Sequence, residues 1–208
     1  MRRPAGMSVV ELLIASGVGM LALAAAFFSF WPAHDFFQQA NQTSALYNQA
    51  LVALDRLAVE IEEAGPWVVE ATSSNPPVLA LPSARDAENV FRRTEDGKPA
   101  WRKWILYYVS ADSSGLVLLR REVPGVFPPD PTPWMVPQAL LTPPGSENRV
   151  VCRNLSLFRV VATQADSGGL TCQVELVLSQ QTRHPVGALA PLTHTARFQR
   201  TALTRNLE

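Results

Sequence analysis

The feature that most constrains this chain is the apolar stretch at residues 7–31. At a rise of about 1.5 Å per residue, a helix of this length crosses the roughly 30 Å hydrocarbon core of a bilayer. Two arginines, Arg2 and Arg3, stand just before it. Because basic residues tend to stay on the cytoplasmic side, we expect a single-pass protein in contact with membrane lipid, with its C-terminus outside.

One acid, Glu11, lies inside this stretch and needs a physical reason. A charged side chain deep in lipid costs on the order of 3 kcal/mol or more, and acids in membrane segments usually have a function. The simpler interpretation is an acid at the membrane edge that pairs with lipid headgroups or with Arg2. The residues alone allow both interpretations.

The residues before and around Glu11 form a known pattern. A short basic leader, MRRPAG, ends at Gly6, Met7 follows, and Glu11 is the fifth residue after the glycine, within the run SVVELL. This pattern resembles the N-terminus of type IV pilin-like proteins. Two departures are Met7, where phenylalanine is usual, and Pro4 in the leader.

The resemblance implies a processing route and a set of partners. A prepilin peptidase would cut after Gly6, Met7 would be methylated, and Glu11 would pair with the new amine of a neighbouring subunit. The implied partners are other pilin or pseudopilin subunits and an inner-membrane assembly platform. The implied locations are the bacterial inner membrane and then a filament, with no cofactor. Residues 54–65, LDRLAVEIEEAG, are similar to the helix end of W-type minor pilins and of J-type minor pseudopilins of type II secretion.

Helical periodicity continues beyond Pro32, a residue expected to kink the helix. It ends at Gly65 and Pro66, the usual order at a helix stop. The predicted apolar face consists of Phe36, Ala40, Tyr47, Leu51, Leu54, Ala58 and Ile61. Arg56 and Glu60 are predicted on the opposite, polar face.

Three acids stand in the last turns of this helix, at Glu60, Glu62 and Glu63. Their charges oppose the helix dipole at that end, and the sequence alone gives no physical reason for them.

The rest of the chain has the composition of β-strands. Apolar and β-branched runs bounded by turn residues predict strands at 67–71, 78–81, 103–110, 116–122, 154–163, 170–180 and 193–203. Residues 123–145 hold about half of the 17 prolines and are predicted to form a surface loop. The predicted fold is α+β, with a long N-terminal transmembrane and amphipathic helix packed on an antiparallel β-sheet head, as in pilins.

The expected organisation along the chain has four segments. They are a leader at 1–6, a transmembrane helix half at 7–31, an amphipathic helix half at 32–65 and an extracytoplasmic β-rich head at 66–208.

Motifs for catalysis, metal binding or nucleic-acid binding are not evident. The sequence has no nucleophile elbow, phosphate-binding glycine loop or zinc-protease motif. His34, His184 and His194 stand apart, and the loop acids lack calcium-loop spacing. The 18 basic residues balance 18 acidic ones, which gives no electrostatic footprint for nucleic acid. We therefore predict no catalytic residues, no metal and no nucleic-acid partner.

The two cysteines, Cys152 and Cys172, allow two interpretations. An oxidising extracytoplasmic space favours a disulfide between them. A hairpin turn near Asp166 would instead place Cys172 opposite Val161, too far from Cys152 for a bond unless the chain bends at Arg153 and Asn154. In the second case both are small buried apolar residues.

Two other functions remain open at the level of sequence. One is a signal-anchored extracytoplasmic binding or sensor domain that does not polymerise. The other is a secreted β-rich enzyme cut after Ala24, where Ala22-Leu23-Ala24 resembles a signal-peptidase site.

Overall fold

The fold consists of one long helix and one antiparallel sheet. The structure, a computed structural model, describes residues 8–65, 69–71, 78–113, 115–125, 148–164, 170–182 and 192–204. Helix α1 is Val9–Ala64. The strands are β1 Val69–Ala71, β2 Val78–Ser83, β3 Lys103–Asp112, β4 Gly115–Pro124, β5 Arg149–Gln164, β6 Leu170–Thr182 and β7 Leu192–Leu203. This confirms the α+β class.

The described strands form one seven-stranded sheet in the order β1-β2-β3-β4-β5-β6-β7. Every neighbouring pair is antiparallel, so consecutive strands lie side by side. Each predicted strand corresponds to an observed one, and the main difference is that β5 begins five residues earlier than predicted. Most of the predicted proline-rich loop lies outside the described residues.

Helix α1 ends where the sequence predicts. Gly65 follows the last helical residue and has a φ of 65°, a left-handed conformation that glycine adopts without steric cost. The helix runs without interruption through position 32. The chain divides into two compact units, Met1–Ser44 and Ala45–Glu208, and α1 contributes to both.

In the second unit, one face of α1 packs against the sheet. The buried helix residues are Leu46, Ala50, Ala53, Leu54, Leu57, Ala58, Ile61 and Ala64. They recur at three and four residues, as one helix face requires. The predicted face is right at Leu54, Ala58 and Ile61 but wrong elsewhere, because Phe36, Ala40, Tyr47 and Leu51 are exposed. Apolar residues cover more than one stripe of this helix, and the face rich in alanine is the one that packs closely.

The two faces of the sheet carry different clusters. The face toward α1 includes Tyr107, Leu118 and Leu176, all fully buried. On the opposite face, a second cluster lies on β2 and β3 and consists of Val78, Ala80, Trp104, Leu106 and Tyr108. This alternation is the period-two pattern of antiparallel strands that are buried on both faces.

Candidate functional site

The start of α1 is closed by a reciprocal pair of hydrogen bonds. The backbone N–H of Ser8 donates to Oε2 of Glu11 across 3.0 Å, and the N–H of Val10 donates to Oγ of Ser8 across 3.3 Å. This is a variant of the capping box, in which Glu11 accepts the N–H of Ser8 while Ser8 caps the N–H of Val10 rather than that of Glu11. The Glu11 carboxylate also lies at the positive end of the helix dipole. The Ser-x-x-Glu spacing of this cap is visible in the sequence at Ser8 and Glu11.

The other predicted processing residues, Gly6 and Met7, lie outside the described residues. The structure therefore places Glu11 and its immediate partners, whereas the site of cleavage stays a prediction. What the described geometry adds is that the Glu11 carboxylate has a hydrogen-bond donor within its own chain.

The first half of α1 exposes apolar side chains all round. Examples are Leu13, Leu21 and Phe30, with exposed fractions of 65%, 73% and 76%. This is the one described helix long and apolar enough to cross a membrane. Glu11 and Trp31 are about 30 Å apart along the helix, the thickness of a hydrocarbon core. Aromatic side chains that include Phe27, Phe28 and Trp31 lie at the far end of this apolar segment from Glu11.

The hydroxyl groups in this apolar segment are satisfied within the helix. Ser16 donates to the carbonyl oxygen of Leu13 and Ser29 to that of Ala25, each across 2.9 Å. Gly17 and Gly19 leave open space, since a Cβ added at either position would meet no atom within 4 Å. The segment thus combines internally satisfied polar groups with small residues that allow another helix to approach closely.

The end of α1 carries a buried polar network centred on Glu60. The Tyr107 hydroxyl donates to Oε2 of Glu60 across 2.5 Å, and the Arg120 guanidinium lies 2.9 Å from Oε1. Arg56, one turn earlier on the helix, donates to the same oxygen across 3.1 Å. Only 10% of the Glu60 side chain and 7% of the Arg120 side chain are exposed. The prediction that Glu60 lies on the opposite, polar face is therefore wrong, because it points to the sheet.

A second layer of charges surrounds Arg120. The guanidinium lies 2.5 Å from Glu122, which also lies 2.6 Å from the Lys103 ammonium. Burial disfavours the Glu122 carboxylate, but the hydrogen bonds from Lys103 and Arg120 outweigh this and hold the pKa of Glu122 below its usual value. Burial, followed by the Glu60 charge, raises the pKa of Tyr107, so its hydroxyl stays a hydrogen-bond donor.

Two further acids of the helix pair with arginines of the sheet unit. Glu63 binds Arg85, just after β2, through two hydrogen bonds, one of them 2.7 Å long. Asp55 pairs with Arg200 on β7. Glu60 and Glu63 at the helix end thus have arginine partners from elsewhere in the chain, which gives a physical reason for two of the charges that oppose the dipole. Local sequence patterns do not reveal these arginines, since each lies far from its partner along the chain.

The structure supports the second interpretation of the two cysteines, in which both are small buried residues. The register pairs Cys172 with Ala162, one residue beyond the predicted partner, whereas Cys152 lies opposite Leu118 on β4. The positions of Cys152 and Ala162 are well separated along β5, and no disulfide joins the two cysteines. The possible disulfide is thus corrected to two buried residues of the core.

A bend does occur at the position that the disulfide would have needed. Asn154 has a φ of 57°, and the register between β4 and β5 shifts between Leu116 and Leu118. This bulge does not bring the cysteines together. Burial raises the pKa of Cys152 to about 11, which leaves the thiol protonated and unreactive at neutral pH.

Within the described parts of the chain, histidine, cysteine and acidic side chains form no group of three or more that could hold a metal ion. His34 contacts Gln38 on the next turn of α1, at 2.9 Å, and His194 lies on β7. His184 lies outside the described residues. The comparison of the chain with protein-family models, curated proteins and solved structures gave no match.

Proposed function

We propose that this chain is a minor pilin or minor pseudopilin, a non-catalytic subunit of a type IV pilus or of a type II secretion pseudopilus. The observation that carries the proposal is the continuity of α1. One helix has apolar side chains exposed all round in its first half and, in its last turns, packs a single face against an antiparallel sheet. An apolar helix surface of this kind needs lipid or other apolar helices around it.

Processing and assembly follow from the N-terminal pattern. A prepilin peptidase cuts after Gly6 and the new N-terminal Met7 is methylated. The precursor stands in the bacterial inner membrane, and an assembly platform there moves it into the filament. A large head favours a place at the tip or in the initiation complex over the repeated shaft.

Glu11 changes its partner during assembly in this proposal. In the single chain its carboxylate accepts the Ser8 N–H. In the filament it pairs with the charged amine on Met7 of a neighbouring subunit. Opposite charges attract more strongly where water is excluded, so the intermolecular pair replaces a weaker neutral donor.

The hydrogen bond from Ser8 also favours a second candidate. A glutamate whose carboxylate is already used as a helix cap needs no neighbour. This geometry suits a signal-anchored extracytoplasmic binding or sensor domain that stays solitary in the membrane.

Mass spectrometry of the mature N-terminus separates the candidates. A methylated Met7 is expected for the filament subunit. An intact Met1 would support the anchored domain, and a start after Ala24 would support a secreted protein. The two latter outcomes both contradict the proposal.

A matched pair of variants tests the role of Glu11. Glu11→Ala removes both the charge and the cap, whereas Ser8→Ala weakens the cap and keeps the charge. We expect Glu11→Ala to lose filament incorporation at least tenfold and Ser8→Ala to keep most of it, with correct cleavage of both verified by mass spectrometry. Equal losses in the two variants would mean that Glu11 acts only as a cap.

Gly17 offers an independent test of helix packing. Gly17→Leu meets open space in the single chain, so the fold of the monomer is expected to stay unchanged. Loss of incorporation in this variant would point to a neighbouring helix at that position, whereas normal incorporation would contradict close helix packing there.

A further inference from the structure

We infer that the Glu60–Arg120 pair is a register lock, which fixes where along α1 the sheet packs. The inference does not depend on the proposed function, since all of its contacts lie within the unit Ala45–Glu208. It rests on a difference between the two kinds of contact that the helix makes with the sheet.

The apolar contacts nearly repeat along the helix. Leucine, isoleucine and alanine recur on the packed face, so a slide of one turn exchanges one apolar side chain for another at most buried positions. Such a slide would place Ala50 where Leu46 packs and Ile61 where Leu57 packs. Core positions tolerate changes among apolar residues better than they tolerate a buried charge. Apolar packing alone therefore separates this shifted register from the native one weakly, whereas the opposite slide would also bury Gln42 and Gln49 at the places of Leu46 and Ala53.

The charged contacts do not repeat. One turn before Glu60 stands Arg56, and one turn after it stands Ala64. A slide in one direction would bring a cation against Arg120. A slide in the other would leave the Tyr107 hydroxyl buried without an acceptor and Arg120 with Glu122 as its remaining acid. Both arrangements lose the Glu60 carboxylate from a buried network and carry a desolvation penalty.

A three-residue shift is also excluded by charge. It would bring the Glu63 carboxylate to Arg120, but it would take Glu63 away from Arg85 and turn the packed face by about 60°. The arginines of the three pairs lie just after β2 (Arg85), on β4 (Arg120) and on β7 (Arg200). These three ion pairs are spread across the sheet, and all three form together at one position of the helix.

Buried ion pairs are often no more stabilising than apolar residues of the same size, and their best documented role is to select one register. The lock is thus expected to act on the position of the helix more than on the stability of the fold. This gives an experiment in which stability and register are read separately.

The test uses the full chain in detergent micelles, with Cys152→Ala and Cys172→Ala to remove native thiols. Glu62→Ala is added throughout, because a one-turn slide would bury that carboxylate at the place of Ala58. The in-register reporter is Tyr47→Cys with Phe198→Cys, whose native rings lie 5.0 Å apart. The shifted reporter is Leu51→Cys with Phe198→Cys, one turn further along. A short thiol crosslinker gives the yield of each reporter.

Each reporter is placed in the charged chain and in an apolar chain with Glu60→Met, Arg120→Met and Tyr107→Phe. We expect the charged chain to crosslink at position 47 alone. The apolar chain should keep its near-UV circular dichroism. Its crosslinking yield at position 47 should fall at least threefold, and its crosslinking yield at position 51 should rise. Unchanged selectivity in the apolar chain would overturn the inference, since packing or the remaining pairs with Arg85 and Arg200 would then set the register. An unfolded apolar chain would also overturn it, because the network would then serve stability.

Discussion

Glu11 and Glu60 stand on the same helix, and their carboxylates are satisfied in opposite ways. Glu11 is exposed and accepts a bond from a backbone donor three residues away. Glu60 is buried and accepts bonds from Tyr107 and Arg120, which lie 47 and 60 residues away in sequence. The first arrangement is available to a helix in any surroundings, whereas the second exists only when the sheet has folded.

Two parts of α1, residues 8–44 and residues 45–64, differ in the same way in how their polar groups are satisfied. In residues 8–44 the polar groups of the apolar segment bond within the helix, so its side-chain surface is left for lipid or other helices. In residues 45–64 alanines and leucines meet the sheet, and acids reach across to arginines. This difference teaches that mutations in the second half should act on folding, and mutations in the first half on what the helix meets outside its own chain.

Arg120→Ala is expected to have the largest effect. It leaves the Glu60 carboxylate buried without its main cation, which costs about 3–5 kcal/mol of unfolding free energy. Arg153→Ala is the matched control, because Arg153 pairs with Asp112 while 50% of its side chain is exposed. That variant should lose less than about 1 kcal/mol. Denaturant unfolding of the full chain in micelles, followed by near-UV circular dichroism, measures both. Similar losses in the two variants would remove the distinction between buried and exposed pairs.

The same leucine-to-alanine substitution is expected to change the unfolding free energy differently in the two parts of the helix. Leu57 is fully buried against the sheet, whereas Leu21 is 73% exposed. Leu57→Ala should lower the unfolding free energy by about 2–5 kcal/mol through lost burial and a cavity. Leu21→Ala should leave it unchanged within about 0.5 kcal/mol. The same unfolding measurement decides, and a large effect of Leu21→Ala on the isolated chain would contradict the comparison.

These differences also mark what the sequence could predict. The strands, the sheet class and the helix end at Gly65 follow from local patterns, since period-two runs, turn residues and a glycine stop are each readable within a few residues. The sequence predicts β5 too short because the irregularities of this strand, including the left-handed Asn154, interrupt the alternation. Local sequence patterns thus predict the secondary-structure elements but not the irregularities within them.

The packed face of α1 and the partner of Glu60 could not be predicted in this way. Apolar residues such as Leu51 and Leu57 lie on adjacent stripes, and only the surface of the sheet decides which stripe is buried. The Glu60–Arg120 pair joins residues that no local pattern connects. At the other end of the helix, the cap formed by Ser8 and Glu11 joins residues three apart and is predictable from local sequence, whereas the intermolecular role of Glu11 is implied only by the resemblance to pilins.

Ser8→Ala tests the start of the helix, where we expect a smaller loss of stability than in Arg120→Ala or Leu57→Ala. Loss of the serine cap should destabilise the first turn by about 1 kcal/mol. Faster amide exchange at Val10 and Glu11, about fivefold, is the expected signature in the full chain in micelles. The unfolding free energy of the sheet unit should not change, because the cap contacts only its own turn. A change in the unfolding of the sheet would show that the two halves are coupled.

Glu122→Gln should give the smallest effect, and pH reveals it. Lys103 on β3 and Arg120 on β4 face this carboxylate, and their hydrogen bonds hold its pKa below the ordinary value of 4.5. Stabilisation from a depressed pKa is present above the unfolded value and is lost as pH falls through the folded one. Since 41% of the side chain is exposed, solvent screening limits the gain to about 0.5–1 kcal/mol at pH 7. Unfolding of the native chain and the variant should therefore differ at pH 7, and the difference should shrink as the pH falls below 4.5 and through the lower folded pKa of Glu122, where the native carboxylate becomes protonated. A difference that stays constant between pH 7 and pH 3 would assign the effect of the substitution to packing, and the charges around Arg120 would then matter only through Glu60.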